Sequence, residues 1–572
     1  MTKKRVVIVG GVAGGATCAA RLRRMDEDTE IVVLDRGHYV SFANCGLPYY
    51  VGNVIREETK LLLATPALFR ERFNIEVRTR NEVTGIDREG CTIAVRDLVT
   101  GREYREPYDA LVLSPGAAPI CPPWPGIDLP GIFTLRTIPD SREIRDWIES
   151  RNPSKAVVVG GGFIGLEMAE NLAHRGIAVT IVELANQLLP PLDPEMAEYA
   201  RQQVESHGVT LLLGDGVSGF EQRGNGTLIV RTQGGVAFDA DLVILAIGVR
   251  PETKLARDAG LEIGERGGIR VDSQLRTSDP RIWAIGDAVE VKNRLSGQWE
   301  LTPLAGPANR QGRVAADVIC GRDARFEGVL ATAVCGFFGL TVALTGATEK
   351  ALRRAGIEDY QCVYLHPNQH VGYYPGAHPI HLKLLFRTSD GLVLGAQAVG
   401  ESGVERRIDV IAAAIQKTAT VFDLEELELC YAPQYGAAKD PVNLAGMIAA
   451  NVLRGDAELA PWTDLGSPHS FILDVREEHE FRAGSIPGSV NIPLGQLRTR
   501  MNELPKSGEI WVNCGVGQRA YYACRILTQH GLHALNLSGG YSTYRVLYPG
   551  IRRETSGNLL AKKKASAESL PK

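Results

Sequence analysis

Two copies of one pattern, 150 residues apart, constrain this chain more than any other feature. The first opens with Arg5-Val6-Val7-Ile8-Val9, a β-branched apolar run of the kind that lies buried in a parallel sheet. Gly10-Gly11-Val12-Ala13-Gly14-Gly15 follows, then a helix through Arg24 and a second strand over 31–35 that ends in Asp35. The second copy runs Ala156-Val157-Val158-Val159 and places Gly160, Gly162 and Gly165 in GxGxxG register, with Phe163 and Ile164 between the last two. A helix and a strand over 178–183 ending in Glu183 complete it. Strand, glycine turn, helix, strand and acid form a dinucleotide site, because glycines let the backbone approach a pyrophosphate and the helix N-terminus favours its charge. The acid then accepts from a ribose hydroxyl. Val12 stands where the second glycine is usual, so the approach there is expected to differ. One such motif is a weak signal, whereas the pair in this context is far more specific. Two dinucleotides that exchange electrons point to a flavin and a nicotinamide. Glu183 has no arginine in the three residues after it, which favours NADH; NADPH stays open because other loops can supply a cation.

The rest of the composition narrows the class. At 572 residues there is room for about three to four domains. A net charge of −4 argues against nucleic acid as a bulk electrostatic partner. Ten cysteines lie scattered without ligand spacing, so neither a metal site nor a disulfide framework is expected. No apolar run approaches the ~18 residues of a membrane span. Thr2-Lys3-Lys4-Arg5 leads straight into a strand rather than an apolar leader, which makes the cytoplasm the expected compartment.

Three further segments read as a strand closed by a turn. One spans 108–116 and closes on Ser114-Pro115-Gly116, one spans 241–248 and closes on Gly248, and one spans 281–288 and holds Gly286-Asp287. With these the chain from 1 to about 325 resembles the two-dinucleotide flavoprotein reductases, whose Ala-x-Gly-Asp segment places an aspartate on the flavin ribityl chain; Asp287 matches it. The resemblance implies an α/β fold with an FAD domain in two pieces, 1–120 and 249–325, around an NAD(P) domain at 121–248. An α+β dimerisation domain at 326–450 would follow. Arg36 and the run Pro303-Leu304-Ala305 join the implied cofactor shell.

The chemistry is expected at Ser41-Phe42-Ala43-Asn44-Cys45-Gly46-Leu47-Pro48-Tyr49-Tyr50, which holds one cysteine with no CxxC or CxxxxC partner. Taken alone, such a cysteine is more often a small buried apolar residue. If it is redox-active, its oxidised form is a mixed disulfide, a persulfide or a sulfenic acid. With Thr17-Cys18, Arg24 and Tyr431-Ala432-Pro433-Gln434-Tyr435, the segment resembles coenzyme A disulfide reductases and their relatives, the NADH oxidases and the NAD(P)H-dependent polysulfide or coenzyme A persulfide reductases. The resemblance implies that Cys45 forms a mixed disulfide with coenzyme A, and that Thr17, Arg21, Arg24, Ser41 and Asn44 line the coenzyme A path. Two departures bear on that path: Phe73 stands where a lysine is expected, and Asn309 where the family can have histidine. Tyr373, Tyr374, Tyr431 and Lys439 would reach the flavin and thiol from the partner subunit of a homodimer; by composition alone these tyrosines are as readily core or interface residues as site residues. The Cys45 pKa is expected to be lowered by nearby positive groups or donors.

A linker at 451–466, with Gly455, Pro461 and Gly466, separates a last unit at 467–553, and the tail 554–572 is expected to be unstructured. In the last unit a strand over 509–513 runs into Cys514-Gly515-Val516-Gly517-Gln518-Arg519 and a helix. Successive N–H groups in such a loop stabilise a thiolate, and Arg519 adds a positive charge. Asp474-Val475-Arg476, the Ile486-Pro487-Gly488 run and the CxxGxR loop resemble a rhodanese domain, whose cysteine carries persulfide sulfur. The expected function is an FAD-dependent NAD(P)H reductase of sulfane sulfur, acting on polysulfide, coenzyme A persulfide or coenzyme A disulfide, with Cys45 and Cys514 as its two thiols. Three alternatives stand beside it: a coenzyme A disulfide reductase with a passenger rhodanese domain, an NADH oxidase, and a non-catalytic redox-sensing or sulfur-carrier module.

Overall fold

The computed structural model describes residues 3–224, 226–466 and 470–549. The expected tail 554–572, and residues 467–469 and 550–553 of the expected C-terminal unit, lie outside the described residues. The chain divides into two compact units. One comprises the residues up to Pro190 together with Val204–Phe338; the other comprises Pro191–Gln203 and the chain from Gly339 onward.

The first unit is built on two five-stranded parallel sheets of the same design. In one, the strands run in the order Ile282–Ala284, Ala110–Leu113, Arg5–Val9, Glu30–Asp35, Glu76–Thr79. In the other, the order is Thr210–Leu213, Ala178–Glu183, Lys155–Val159, Leu242–Leu245, Ile132–Phe133. In each, the glycine-turn strand is central and buried on both faces, which is why it carries a continuous apolar run instead of alternation. Each sheet is accompanied by a three-stranded antiparallel meander: Asn81–Asp87, Thr92–Asp97 and Glu103–Pro107 for the first; Val217–Gln222, Leu228–Thr232 and Ala237–Ala240 for the second.

Helix Ala13–Met25 packs along helix Ala305–Ile319, and the approach is close enough that a Cβ on Gly312 would meet the Gly14 carbonyl oxygen at 2.4 Å. Arg23, buried on the first of these helices, donates to the carbonyl oxygens of Asp26, Glu27, Thr29, Phe73 and Asn74. Those bonds satisfy a buried guanidinium entirely with backbone.

In the second unit Gln361–Leu365, Ile380–Phe386, Val393–Gly400 and Leu340–Gly346 pair antiparallel in that order, backed by helices Val404–Gln416 and Pro441–Leu453. Strand Val393–Gly400 begins only after Gly391, which is spent on a turn at φ +78°. At the centre of the adjacent strand Ile380–Phe386, Lys383 is fully buried, with Asp193, Glu195 and Glu349 all within 2.9 Å of its ammonium. The C-terminal sheet is parallel, in the order Glu458–Leu459, His533–Asn536, Glu509–Asn513, Ser470–Asp474, Val490–Asn491.

That order corrects the expected linker at 451–466. Helix Pro441–Leu453 ends inside it, and Glu458–Leu459 is an edge strand of the C-terminal sheet. Trp462 is buried and its indole N–H donates to Ser538 O at 3.1 Å. Glycine and proline punctuate this stretch, but the alanines and leucine between them are apolar enough to pack.

Candidate active site

The two glycine turns agree atom by atom. Gly10 and Gly160 have φ of +94° and +108°, and a Cβ on either would strike a carbonyl oxygen of the neighbouring strand's turn, Ser114 O at 2.1 Å or Ala246 O at 2.4 Å. A Cβ on Gly15 or Gly165 would strike the oxygen of Gly10 or Gly160 at 1.9 and 2.0 Å, so those glycines are required by helix-to-turn packing. Gly162 differs. Its φ is −80°, and a Cβ there would meet no protein atom within 4 Å. Val12, its counterpart, has φ −95°, so a side chain is tolerated at that position and glycine there serves only the approach of a ligand. Neither helix has a side-chain cap at its N-terminus, which leaves first-turn N–H groups facing outward from the turn. Ala13, Gly14, Phe163 and Ile164 lie in those first turns. An uncapped helix start beside a glycine cradle fits a dinucleotide pyrophosphate.

The two acids hold the turns as well. Asp35 accepts from the N–H groups of Gly11 at 2.8 Å and Gly37 at 2.7 Å, and Glu183 from Gly161 at 2.6 Å and Ala185 at 2.8 Å. Desolvation raises the Asp35 pKa against these donors. Ser114, Pro115 and Gly116 continue the strand Ala110–Leu113, with Gly116 at φ +75°. Arg136 donates to Pro115 O at 3.1 Å, and both Arg136 and Arg36 reach Glu252 Oε1 at 2.5 Å. Gly248 and Gly286 turn at φ +113° and +79°, and Gly286 N–H donates to the buried Gln311. Burial raises the Asp287 pKa, with Arg136 opposing. Pro303 and Leu304 lead into the uncapped start of helix Ala305–Ile319.

Cys45 lies in a single 3-10 turn, Asn44–Gly46, just before the short helix Leu47–Val51. Cys45 and Asn44 are exposed, and Cys45 is a free thiol. Ser41 enters this turn at φ +47°, a left-handed conformation unusual for serine, with its N–H donating to Gly11 O at 2.8 Å. The thiol's titration corrects the sequence expectation. Its pKa is raised, first by desolvation and then by the carboxylates of Glu167 and Asp287. Glu167 comes from helix Phe163–His174 of the second glycine unit. Its own pKa is pushed up to about 7 by desolvation and by Glu170, against a 3.4 Å hydrogen bond donated by the Tyr49 hydroxyl. Acids, not cations, dominate the charge around this sulfur.

Thr17 and Asn309 are brought together across the helix pair, the threonine hydroxyl donating at 2.5 Å. Arg24 is exposed. Arg21 is not available in the same way: its Nε donates to Asp317 at 2.8 Å and both side chains are mostly buried. Phe73 lies against the core, its ring tilted at 46° to that of Phe69 with centres 6.1 Å apart. In the second unit Tyr373 and Tyr431 share a hydroxyl hydrogen bond of 2.9 Å while both are exposed, Tyr373 at 74%. Tyr374 and Lys439 are exposed too.

The C-terminal thiol has the opposite setting. Cys514 follows strand Glu509–Asn513, is 0% exposed, and accepts from Gly517 N–H at 3.1 Å. Helix Gln518–Gln529 starts immediately after. Arg519 is bound two-pronged by Glu480, at 2.6 and 2.7 Å. Cys524 is buried in that helix.

Residues 4–312 match the pyridine nucleotide-disulphide oxidoreductase family, 332–440 its dimerisation domain and 457–546 the rhodanese-like domain. The chain belongs to the pyridine nucleotide-disulphide oxidoreductases. It is 35% identical over 450 residues to the coenzyme A disulfide reductase of Staphylococcus haemolyticus, covering 78% of this chain and all of that one. A solved structure of reduced Bacillus anthracis CoADR-RHD is 47% identical, with a TM-score of 0.94 over 96% of this chain and 99% of that one. The NAD-dependent persulfide reductase of A. fulgidus is 38% identical, with a TM-score of 0.88 over 94% and 100%. The expected α/β class, the α+β dimerisation domain and the C-terminal rhodanese domain are therefore borne out, as is an FAD- and NAD(P)H-dependent disulfide oxidoreductase. Among the described residues, no helix is long and apolar enough to cross a membrane.

For an oxidoreductase of this family, sequence reasoning overlooked Glu167, Arg136 and Glu480. Glu167 had one visible signal, a lone acid on an otherwise apolar helix start, Phe163-Ile164-Gly165-Leu166. Arg136 and Glu480 had none, because their partners Glu252 and Arg519 are 116 and 39 residues away.

Proposed function

We propose that this oxidoreductase reduces sulfane sulfur with NAD(P)H through FAD and Cys45, taking polysulfide, coenzyme A persulfide or coenzyme A disulfide. One observation carries the reading: Cys45 is an exposed thiol whose charge is felt by an acid from each nucleotide unit, Asp287 and Glu167. A sulfur so placed can exchange electrons with a flavin bound at the first turn, which supplies the two-electron relay from NAD(P)H. Cys45 Sγ attacks the inner sulfur of a coenzyme A persulfide, forms a Cys45–S–S–CoA disulfide and expels hydrosulfide. Two electrons then return that disulfide to the Cys45 and coenzyme A thiolates. Arg24 and Lys439 offer exposed cations to the coenzyme's phosphates, and Thr17, Ser41, Asn44 and Asn309 offer hydrogen bonds; Arg21 contributes its charge after leaving Asp317. Tyr374 and Tyr431 reach the thiol of a partner subunit in a homodimer, working in the cytoplasm.

Cys514 takes a sulfane sulfur from a donor and passes it to a thiol acceptor such as coenzyme A, with Arg519 beside it. Mass spectrometry of the purified protein without reductant tests the core of the reading: a coenzyme A adduct is expected on Cys45. Turnover of persulfide by Cys45→Ser at the native rate would sink it. The full burial of Cys514 favours a second reading, a coenzyme A disulfide reductase whose rhodanese domain is a passenger. Under that reading loss of Cys514 leaves turnover with every sulfur donor unchanged.

A further inference from the structure

The charges around Cys514 are arranged in a way that bears on which sulfur donor it accepts. Two arginines approach the loop, and each is already matched. Arg476 is buried and bound by the fully buried Asp474, with contacts of 2.7 and 3.0 Å. Its guanidinium also stacks on Tyr541, 4.3 Å from the ring centre. Arg519, one-third exposed, is gripped by both oxygens of Glu480. The grip lies directly against the loop, since a Cβ on Gly515 would be 3.4 Å from the Arg519 guanidinium and 4.0 Å from Glu480 Oε1. Glu477, close enough to act on Arg519, leaves one surplus negative charge among these five groups. Glu480 is kept ionised by Arg519, its pKa lowered to about 2, so the match persists at any physiological pH.

We propose that Glu480 is a specificity-determining residue which, by neutralising Arg519, turns the Cys514 site away from thiosulfate and toward organic persulfides whose charge is confined to the terminal sulfur. The inference rests on the sulfur-carrier reading of Cys514 given above. Thiosulfate carries its second negative charge on the sulfonate next to the transferred sulfur. That group must dock where the Arg519 charge is already taken, and specificity of this kind arises from what a site repels as much as from what it attracts. Both reactions balance. Cys514 thiolate attacks the sulfane sulfur of thiosulfate, breaking the S–S bond and releasing sulfite. With a persulfide, the same attack on the terminal sulfur releases the parent thiolate. Each leaves a persulfide on Cys514, which cyanide discharges as thiocyanate.

The test uses the full chain without NAD(P)H and compares kcat/KM for thiosulfate and for N-acetylcysteamine persulfide, with cyanide as acceptor and the uncatalysed rate subtracted. Glu480→Gln keeps the acceptor for the Glu477 N–H that starts helix Glu478–Arg482. It is expected to raise kcat/KM for thiosulfate about tenfold, leave the persulfide value within about twofold, and lose most of that gain at ~1 M salt. Glu480→Asp keeps the charge and is expected to hold the native donor ratio. An unchanged donor ratio in Glu480→Gln, with transfer still dependent on Cys514, overturns the inference alone. Transfer that survives Cys514→Ser overturns the sulfur-carrier reading and the inference with it.

Discussion

Cys45 and Cys514 are the two thiols to which chemistry is assigned, and their surroundings differ in exposure and in what touches the sulfur. Cys45 is exposed on a one-turn helix, in the company of acids. Cys514 is enclosed at a strand-to-helix turn, with a backbone N–H on its sulfur and, beside it, a guanidinium already paired with Glu480. An exposed thiol with a raised pKa is slow to react until a substrate or cofactor changes the local charge, which suits a residue that must wait for a particular disulfide. An enclosed sulfur admits only a substrate small enough to reach it. Under the proposed function these two environments serve two steps of one sulfur chemistry, capture and reduction.

The largest effect that could break this contrast is at Cys45. Cys45→Ser is expected to lower NADH-dependent reduction of coenzyme A persulfide by about a thousandfold or more, while NADH still bleaches the flavin in anaerobic stopped-flow traces. Cys514→Ser is expected to cut sulfur transfer to cyanide by about a hundredfold or more, yet leave reduction of preformed coenzyme A persulfide within about twofold. Equal losses in both assays for either variant would merge the two roles.

Glu167→Gln sharpens the acidic half of the comparison. Above about pH 7 the wild-type carboxylate is charged and opposes the Cys45 thiolate. Its removal is expected to speed iodoacetamide alkylation of Cys45 several-fold at pH 8 and hardly at all at pH 5.5. Stability follows the same group. Its folded pKa is raised from 4.5 to about 7, so the stability linked to its proton is complete below 4.5 and is lost as pH rises through 7. The variant cannot ionise, so its melting temperature is expected to exceed the wild type by about 2–4 °C at pH 8 and to match it at pH 4.5. The smallest effect separates two arginines. Arg24→Ala is expected to raise KM for coenzyme A disulfide about three- to tenfold with an unchanged melting temperature. Arg21→Ala, which leaves the mostly buried Asp317 without its partner, is expected to destabilise by about 1–2 kcal/mol.

Much of the fold was legible in the chain because its signals are local. Glycines at 10, 15, 160 and 165 are demanded by backbone contacts within the turn and its neighbouring strand, and a buried parallel strand writes its β-branched run in consecutive residues. The single cysteine at 45 and the CxxGxR loop at 514 were equally plain. The edge strand Glu458–Leu459 was not, because its two residues acquire strand character only from pairing with His533–Asn536.

What the sequence determined by itself was the order of the domains, the two nucleotide turns and the positions of the two candidate thiols, all of which depend on residue types at short spacing. Only the tertiary structure decided the electrostatics at each sulfur. Glu167 and Asp287 act on Cys45 from 122 and 242 residues away, and Glu480 claims Arg519 across 39. Coulomb interactions and desolvation depend on distance through space, and no spacing along a chain encodes that.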